Sequence, residues 1–410
     1  MPLRNNFLWN TIGYSSNAIF QWSILVILAK SNQVEMIGHY ALALSISTPI
    51  SMFCWLSLRS ILASDLSNQY SFNTYISLRI IMVIVGYSII GLVVLFTSYS
   101  YVQTALILIL GLTKVFDGIS DIYLGYYQQH GRSYILGQSL SMKSLLSITL
   151  FILSMMYTSN ILIASLSTTL VSIGMIFLFD TKFVGLEEKY SIFNFQKSKI
   201  IGLLILSFPL GSVTFLYALS LSIPRFFVEK YLGIKSVGFY VSIYSFVMAG
   251  IIFAIALTDA ILPVMTKFML NYQRQKLEKL LITAILISTF TIIIGLVIVK
   301  YFGASLLTIT FNSEYAKYEN LLIMGTIMLG TEVITKLISN TLTVFREIKV
   351  QTLLSLFNIV FMFIACYFLI PNYGMNGAFI GQTIVNLFQI TLSVMILYRT
   401  FNKWFNAGII

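Results

Sequence analysis

The chain has 410 residues, 58% of them hydrophobic and only 10% charged, with a formal net charge of +11 and a mean hydropathy of +0.89. A soluble globule would be about a quarter charged, so composition excludes one, and apolar runs of roughly 20 residues, enough to cross a bilayer, recur from end to end. The short alternating segments of a β-barrel are absent, and the positive charge is expected on cytoplasmic loops of a polytopic helical membrane protein rather than on nucleic acid.

Twelve spans are predicted in chain order, the first three at 7–29, 38–58 and 75–97. The first aligns Asn10, Asn17 and Gln21, with Tyr14 close by, and lacks the short apolar core and small-residue cleavage site of a leader, so it reads as a retained helix. The second holds Pro49, which removes a backbone hydrogen bond and predicts a kink. Arg59 and Arg79 lie near enough to span ends to snorkel to inner headgroups, and that reading stands beside one in which they face a cavity.

The fourth span, 102–124, poses the main puzzle, because Lys114, Asp117 and Asp121 fall inside it. At 100° per residue these three and Gln128 occupy an arc of about 60°. Three central charges cost up to roughly 8–10 kcal/mol on an insertion scale, more than the apolar remainder returns, so this face must meet helices or water rather than lipid. Lys114 and Asp117 can pair at i,i+3; Asp121 has no local partner. The fifth span, 135–157, aligns Ser139, Lys143 and Ser147, and the sixth runs 160–179.

The segment 180–199, DTKFVGLEEKYSIFNFQKSK, divides the chain into an N-terminal lobe, 1–180, a cytoplasmic linker, 181–199, and a C-terminal lobe, 200–410. The second six spans are 200–222, 237–258, 280–302, 319–342, 350–370 and 377–398. Pro209 predicts a kink in the seventh span, which leads to Arg225, and Asp259 opens the connecting segment 259–279. The tenth span repeats the theme of the fourth, with Glu332 and Lys336 at i,i+4 and Ser339 and Thr343 on the same stripe. The eleventh aligns Gln351, Ser355 and Asn358. IGHY at 37–40 and VGFY at 237–240 open the second helix of each half, an echo of parallel duplication.

Of the 25 Lys and Arg, 15 fall on one side of this arrangement and 6 on the other, which places both termini in the cytoplasm. No connecting segment leaves room for a folded soluble domain, and no P-loop is present. Cys54 and Cys366 read as packing residues, His39 and His130 as interfacial polar groups with no metal-ligand spacing, and no nucleophile and base stand together. The chain therefore reads as a carrier, not an enzyme, without catalytic or metal-binding residues. Its candidate cavity cations are Arg59, Arg79, Lys114, Lys143, Arg225 and Lys336, and its anions Asp117, Asp121, Asp259 and Glu332, a positive excess suited to phosphate.

The stretches IGHYALALSISTPISMFCWLSLRSILASD (37–65), FPLGSVTFLYALSLSIPRFFVEKYLGIKSVGFYVSIYS (208–245), NSEYAKYENLL (312–322) and IPNYGMNGAFIG (370–381) resemble bacterial polysaccharide flippases, the O-antigen repeat-unit branch of the multidrug/oligosaccharidyl-lipid/polysaccharide (MOP) exporter superfamily. The resemblance implies an all-α, MATE-like fold of two six-helix lobes in the bacterial cytoplasmic (inner) membrane. It also implies that an undecaprenyl-pyrophosphate-linked glycan passes from the cytoplasmic to the periplasmic leaflet by alternating access through a cationic central cavity. By position Arg59, Lys143 and Arg225 match the family's basic residues, with Lys114 and Lys336 beside them, while Asp117, Asp121, Asp259 and Glu332 serve charge pairing or H⁺ or Na⁺ coupling. No organic cofactor is implied; the bilayer and polysaccharide polymerase machinery are the other expected partners. A cation-coupled multidrug exporter of the same superfamily is the alternative, and it would make an acidic residue dominate.

Overall fold

The computed structural model describes residues 2–65, 67–182 and 196–407, and among these residues every regular element is helical. The chain forms two compact units, Met1–Ser222 and Ile223–Ile410. The first contains α1 (Pro2–Lys30), α2 (Val34–Trp55), α3 (Leu58–Ser64), α4 (Phe72–Leu95), α5 (Tyr101–Gln129), α6 (Ser133–Thr158) and α7 (Ile161–Met175). The last turn of α7 widens into a π-helix, Ile176–Asp180, and the boundary between units falls inside α8 (Lys197–Leu232). The second unit continues with α9 (Ile234–Leu270), α10 (Arg274–Thr310), a 3₁₀ turn (Ser313–Tyr318), α11 (Glu319–Val344), α12 (Ile348–Tyr373) and α13 (Met375–Ala407).

Among the described residues, eleven helical stretches are long and apolar enough to cross a membrane, which makes this a polytopic membrane protein. Their burial separates two roles. None of the apolar window of α10 is buried, so its Ile, Leu and Phe side chains suit acyl chains, whereas 61% of the corresponding α2 window lies inside the protein. α5, at 29 residues, is long enough to cross as well, and it carries three ionised residues, Lys114, Asp117 and Asp121.

α5 is also the hub of its unit, packed against α2, α3, α4, α6 and α7, and α11 holds the same position in the second unit, against α9, α10, α12 and α13. The two spans singled out for their charges are thus the central helices, where a charged stripe is shielded from lipid on most sides. α1 packs on α6 at backbone contact. A β-carbon at Gly137 would lie 2.0 Å from the Trp9 carbonyl oxygen, and one at Gly13 2.6 Å from that of Gly137.

Several predicted boundaries shift. The second span breaks after Trp55, because Leu56 and Ser57 both adopt left-handed backbone (φ 52° and 51°), and α3 starts in a new direction carrying Arg59. The connecting segment 259–279 is helical except for Asn271–Gln273, since its polar residues extend α9 and α10 rather than form a loop. Arg225 lies within α8, not beyond a span. Asp259 sits on α9, but its side chain lies outside those described.

The turn after α3 is organised by Asp65. Its carboxylate accepts from the amides of Gln69 (2.9 Å) and Tyr70 (3.1 Å) and the hydroxyls of Tyr75 (3.1 Å) and Ser67 (3.2 Å), while Gln129 at the end of α5 donates to its carbonyl at 2.6 Å. Burial alone would raise this carboxyl's pKa, yet the four donors hold it below the ordinary value. A depressed pKa contributes stability that is present above the unfolded-state value and is lost as pH falls through the folded one. The thermal-stability advantage of the wild type over Asp65→Asn in detergent is therefore expected to hold at neutral pH and shrink below about pH 4. A pH-independent difference would refute this account.

Candidate functional site

The site is built on α5. Gly118 and Gly125, seven residues apart, open its face to the two sides of the α2–α3 break. A β-carbon at Gly118 would lie 2.5 Å from Trp55 Nε1, and one at Gly125 3.3 Å from Arg59 Cα. Asp121 lies between these glycines on the same face, so the close approach of the backbones delivers Arg59 to it.

Asp121 is held by two arginines from different elements. Arg59 Nη1 donates to Oδ1 at 3.2 Å and Arg79 Nη2 to Oδ2 at 3.1 Å. Arg59 also donates to Tyr14 Oη at 2.6 Å and, weakly, to Gln128 Oε1 at 3.4 Å. Tyr14 of the α1 polar stripe and Gln128 of the α5 arc thus join the cluster. The snorkelling alternative is overturned for Arg79: its side chain is 0% exposed against 25% for Arg59, because Asp121 and the Trp55 ring, 5.8 Å from its Cζ, draw it inward.

One turn earlier, Asp117 repeats the pattern with two lysines. Lys143 Nζ donates to Oδ1 and Lys114 Nζ lies 3.9 Å from Oδ2, while Ser172 Oγ donates to Oδ1 at 3.1 Å. The i,i+3 pair expected of Lys114 and Asp117 forms, at long range, and the stronger partner comes from α6. Lys114 and Lys143 are 21% and 19% exposed, so with Arg59 they are the cations of these two clusters that a ligand can reach.

A third acid, Asp180, was assigned by sequence to the linker edge and is instead fully buried. The π turn carries it back against α5 and α6, where Ser120 and Ser139 donate to its carboxylate at 2.5 and 2.6 Å and the Tyr127 hydroxyl donates to its carbonyl oxygen. Ser139 of the α6 stripe was the one signal pointing there. The first unit thus encloses Arg59, Arg79, Lys114 and Lys143 against Asp117, Asp121 and Asp180, a positive surplus.

In the second unit Glu332 does not form the predicted i,i+4 ion pair with Lys336. Its Oε2 accepts from Asn386 Nδ2 at 2.8 Å, and Gln382 Nε2 donates to Asn386 Oδ1 at 2.9 Å. The amide on α13 takes one oxygen of the carboxylate, and Lys336 stays within electrostatic reach without closing to an ion pair. The polar pair Gln382 and Asn386, i,i+4 inside the last span, was the overlooked signal. Arg225 lies within electrostatic reach of the Tyr240 and Tyr244 hydroxyls. On α12, Gln351 donates to the Ser339 carbonyl (3.0 Å) and Thr343 Oγ1 (2.9 Å), and Asn358 to Gln389 Oε1 (2.9 Å), so this stripe joins helices.

No protein-family model matches the chain. A capsular polysaccharide biosynthesis protein, CapF of Staphylococcus aureus, is 26% identical over 391 residues, covering 92% of this chain and 95% of that protein. The lipid II flippase MurJ, in an inward closed conformation, superposes with a TM-score of 0.77 at 15% identity over 98% of this chain and 91% of its own. An inward-facing multidrug resistance MATE transporter of the MOP superfamily does so with a TM-score of 0.65 at 17% identity, over 96% and 95%. The fold is therefore the one seen in the MurJ flippase and the MATE transporters, and in sequence the chain is similar over nearly its whole length to a capsular polysaccharide biosynthesis protein.

Proposed function

We propose that this protein moves an undecaprenyl-pyrophosphate-linked oligosaccharide repeat unit from the cytoplasmic to the outer leaflet of the bacterial inner membrane, by alternating access, during surface polysaccharide synthesis. The observation that carries the reading is the pair of Asp-centred cation clusters on α5, in which Arg59, Lys114 and Lys143 remain partly exposed. A sugar pyrophosphate cannot enter hydrocarbon unaided. A site with surplus guanidinium and ammonium groups replaces its hydration while the polyprenyl tail stays in lipid. O-antigen was the product expected from sequence; the capsular relative favours capsule equally.

In this reading α5 joins the eleven apolar stretches to make twelve crossings with both termini cytoplasmic. The halves 1–180 and 200–410, joined by 181–199, act as the two lobes. Arg225 and Lys336 extend the cationic path in the second lobe. Asp117, Asp121, Asp259 and Glu332 orient the cations or couple movement to H⁺ or Na⁺, and polysaccharide polymerase machinery receives the product.

The test is complementation of a flippase-null strain, scored by surface polysaccharide. The wild-type chain is expected to restore it, and Arg59→Ala and Lys143→Ala to lose at least about tenfold at normal membrane levels, the order of one partly buried charge pair. Full activity in both variants would remove these residues from the path. Export of lipophilic cations without polysaccharide rescue would instead favour the multidrug reading.

A further inference from the structure

We infer that Arg79 is a positioning residue whose buried charge keeps Arg59 available to the pyrophosphate. The inference rests on the cationic site proposed above and concerns how that site stays cationic.

A single carboxylate beside a single arginine makes a neutral pair, which has little attraction for an anion. Asp121 avoids this outcome by having a second arginine. Arg79 is sealed from solvent and spends one Nη2 bond on Asp121. Among the described residues no acceptor meets its Nε or Nη1, and the guanidinium lies near the Trp55 ring, 5.8 Å from Cζ to the centroid. A fully buried guanidinium cannot touch a substrate. What it can do is neutralise Asp121 from behind, so that the charge of Arg59, one-quarter exposed on the other oxygen, is left uncompensated. Placing an incompletely hydrogen-bonded arginine in a helical core costs stability, and a neutral packing residue would suffice if filling space were the only requirement.

The experiment titrates the purified full chain in detergent with farnesyl pyrophosphate, a short polyprenyl pyrophosphate, and follows thermal unfolding in parallel. Arg79→Gln is expected to weaken binding about tenfold, while Arg79→Lys, which keeps the charge, stays within about threefold of wild type. The decisive variant is the double Arg79→Gln/Asp121→Asn, which removes one charge of each sign and leaves Arg59 free. It is expected to recover affinity to within about threefold of wild type, a coupling that independent effects would not produce. Unchanged affinity in Arg79→Gln, or a double variant that binds no better than the single one, would overturn the inference. If Arg79→Gln does not fold, the folded double variant decides alone: wild-type-like affinity supports the inference and weak binding refutes it. Arg59→Gln separates this from the underlying reading, since undiminished binding there sinks the cationic site itself, whereas loss there with none in Arg79→Gln sinks only the role of Arg79.

Discussion

Gly137→Leu is expected to destabilise the protein by at least ~3 kcal/mol, the upper end of what overpacking a close interface costs. The reason is geometric. At Gly137 the α6 backbone touches the α1 backbone near Trp9, and even a methyl group would overlap the carbonyl there. Neither helix can retreat freely, because Asn6 at the start of α1 is hydrogen-bonded to Gly131 O and Tyr134 N, each at 2.9 Å, across the start of α6. The measurement is thermal unfolding in detergent together with the yield of monodisperse protein. Gly91→Leu, on the other hand, places its β-carbon where no described atom beyond its own stretch of helix lies within 4 Å, and should melt no lower than wild type. Equal melting of the two variants would show that the α1–α6 contact is loose.

Asp117→Ala should cost about 3–5 kcal/mol, the range for breaking a buried pair by deleting one partner. Lys114 and Lys143 would then face each other with no carboxylate between them, and Ser172 would keep only the Thr168 carbonyl as acceptor. Adding Lys114→Met to Asp117→Ala removes one of the stranded charges and should recover a substantial part of the loss, which a double-mutant cycle of melting temperatures reads directly. If Asp117→Ala alone melts like wild type, water already screens the two ammonium groups and the cluster is far wetter than its burial indicates.

The helices were legible because an apolar span needs no partner to declare itself. The charged face of α5 was legible as well, since its period follows from a single helix. What could not be read was the partner of each charge. Asp121 meets Arg59 and Arg79 from 62 and 42 residues away, and no local spacing encodes that. Local spacing even misled at Glu332, where Lys336 is in register but Asn386, 54 residues on, takes the carboxylate. Asp180 was misplaced because an Asp-Thr-Lys run after an apolar stretch looks like a loop; the widened π turn that folds it inward leaves no trace in hydropathy.

The break at Leu56 and Ser57 sets how far its cation can wander. Both residues hold a backbone shape that costs ordinary L-amino acids about 1–2 kcal/mol each, and the fully buried Leu56 side chain pins it in place. Glycines there would make a joint that swings. Leucine and serine make a stiff elbow, so Trp55 and Arg59 travel as one piece, and any stroke that shifts the first must carry the second along.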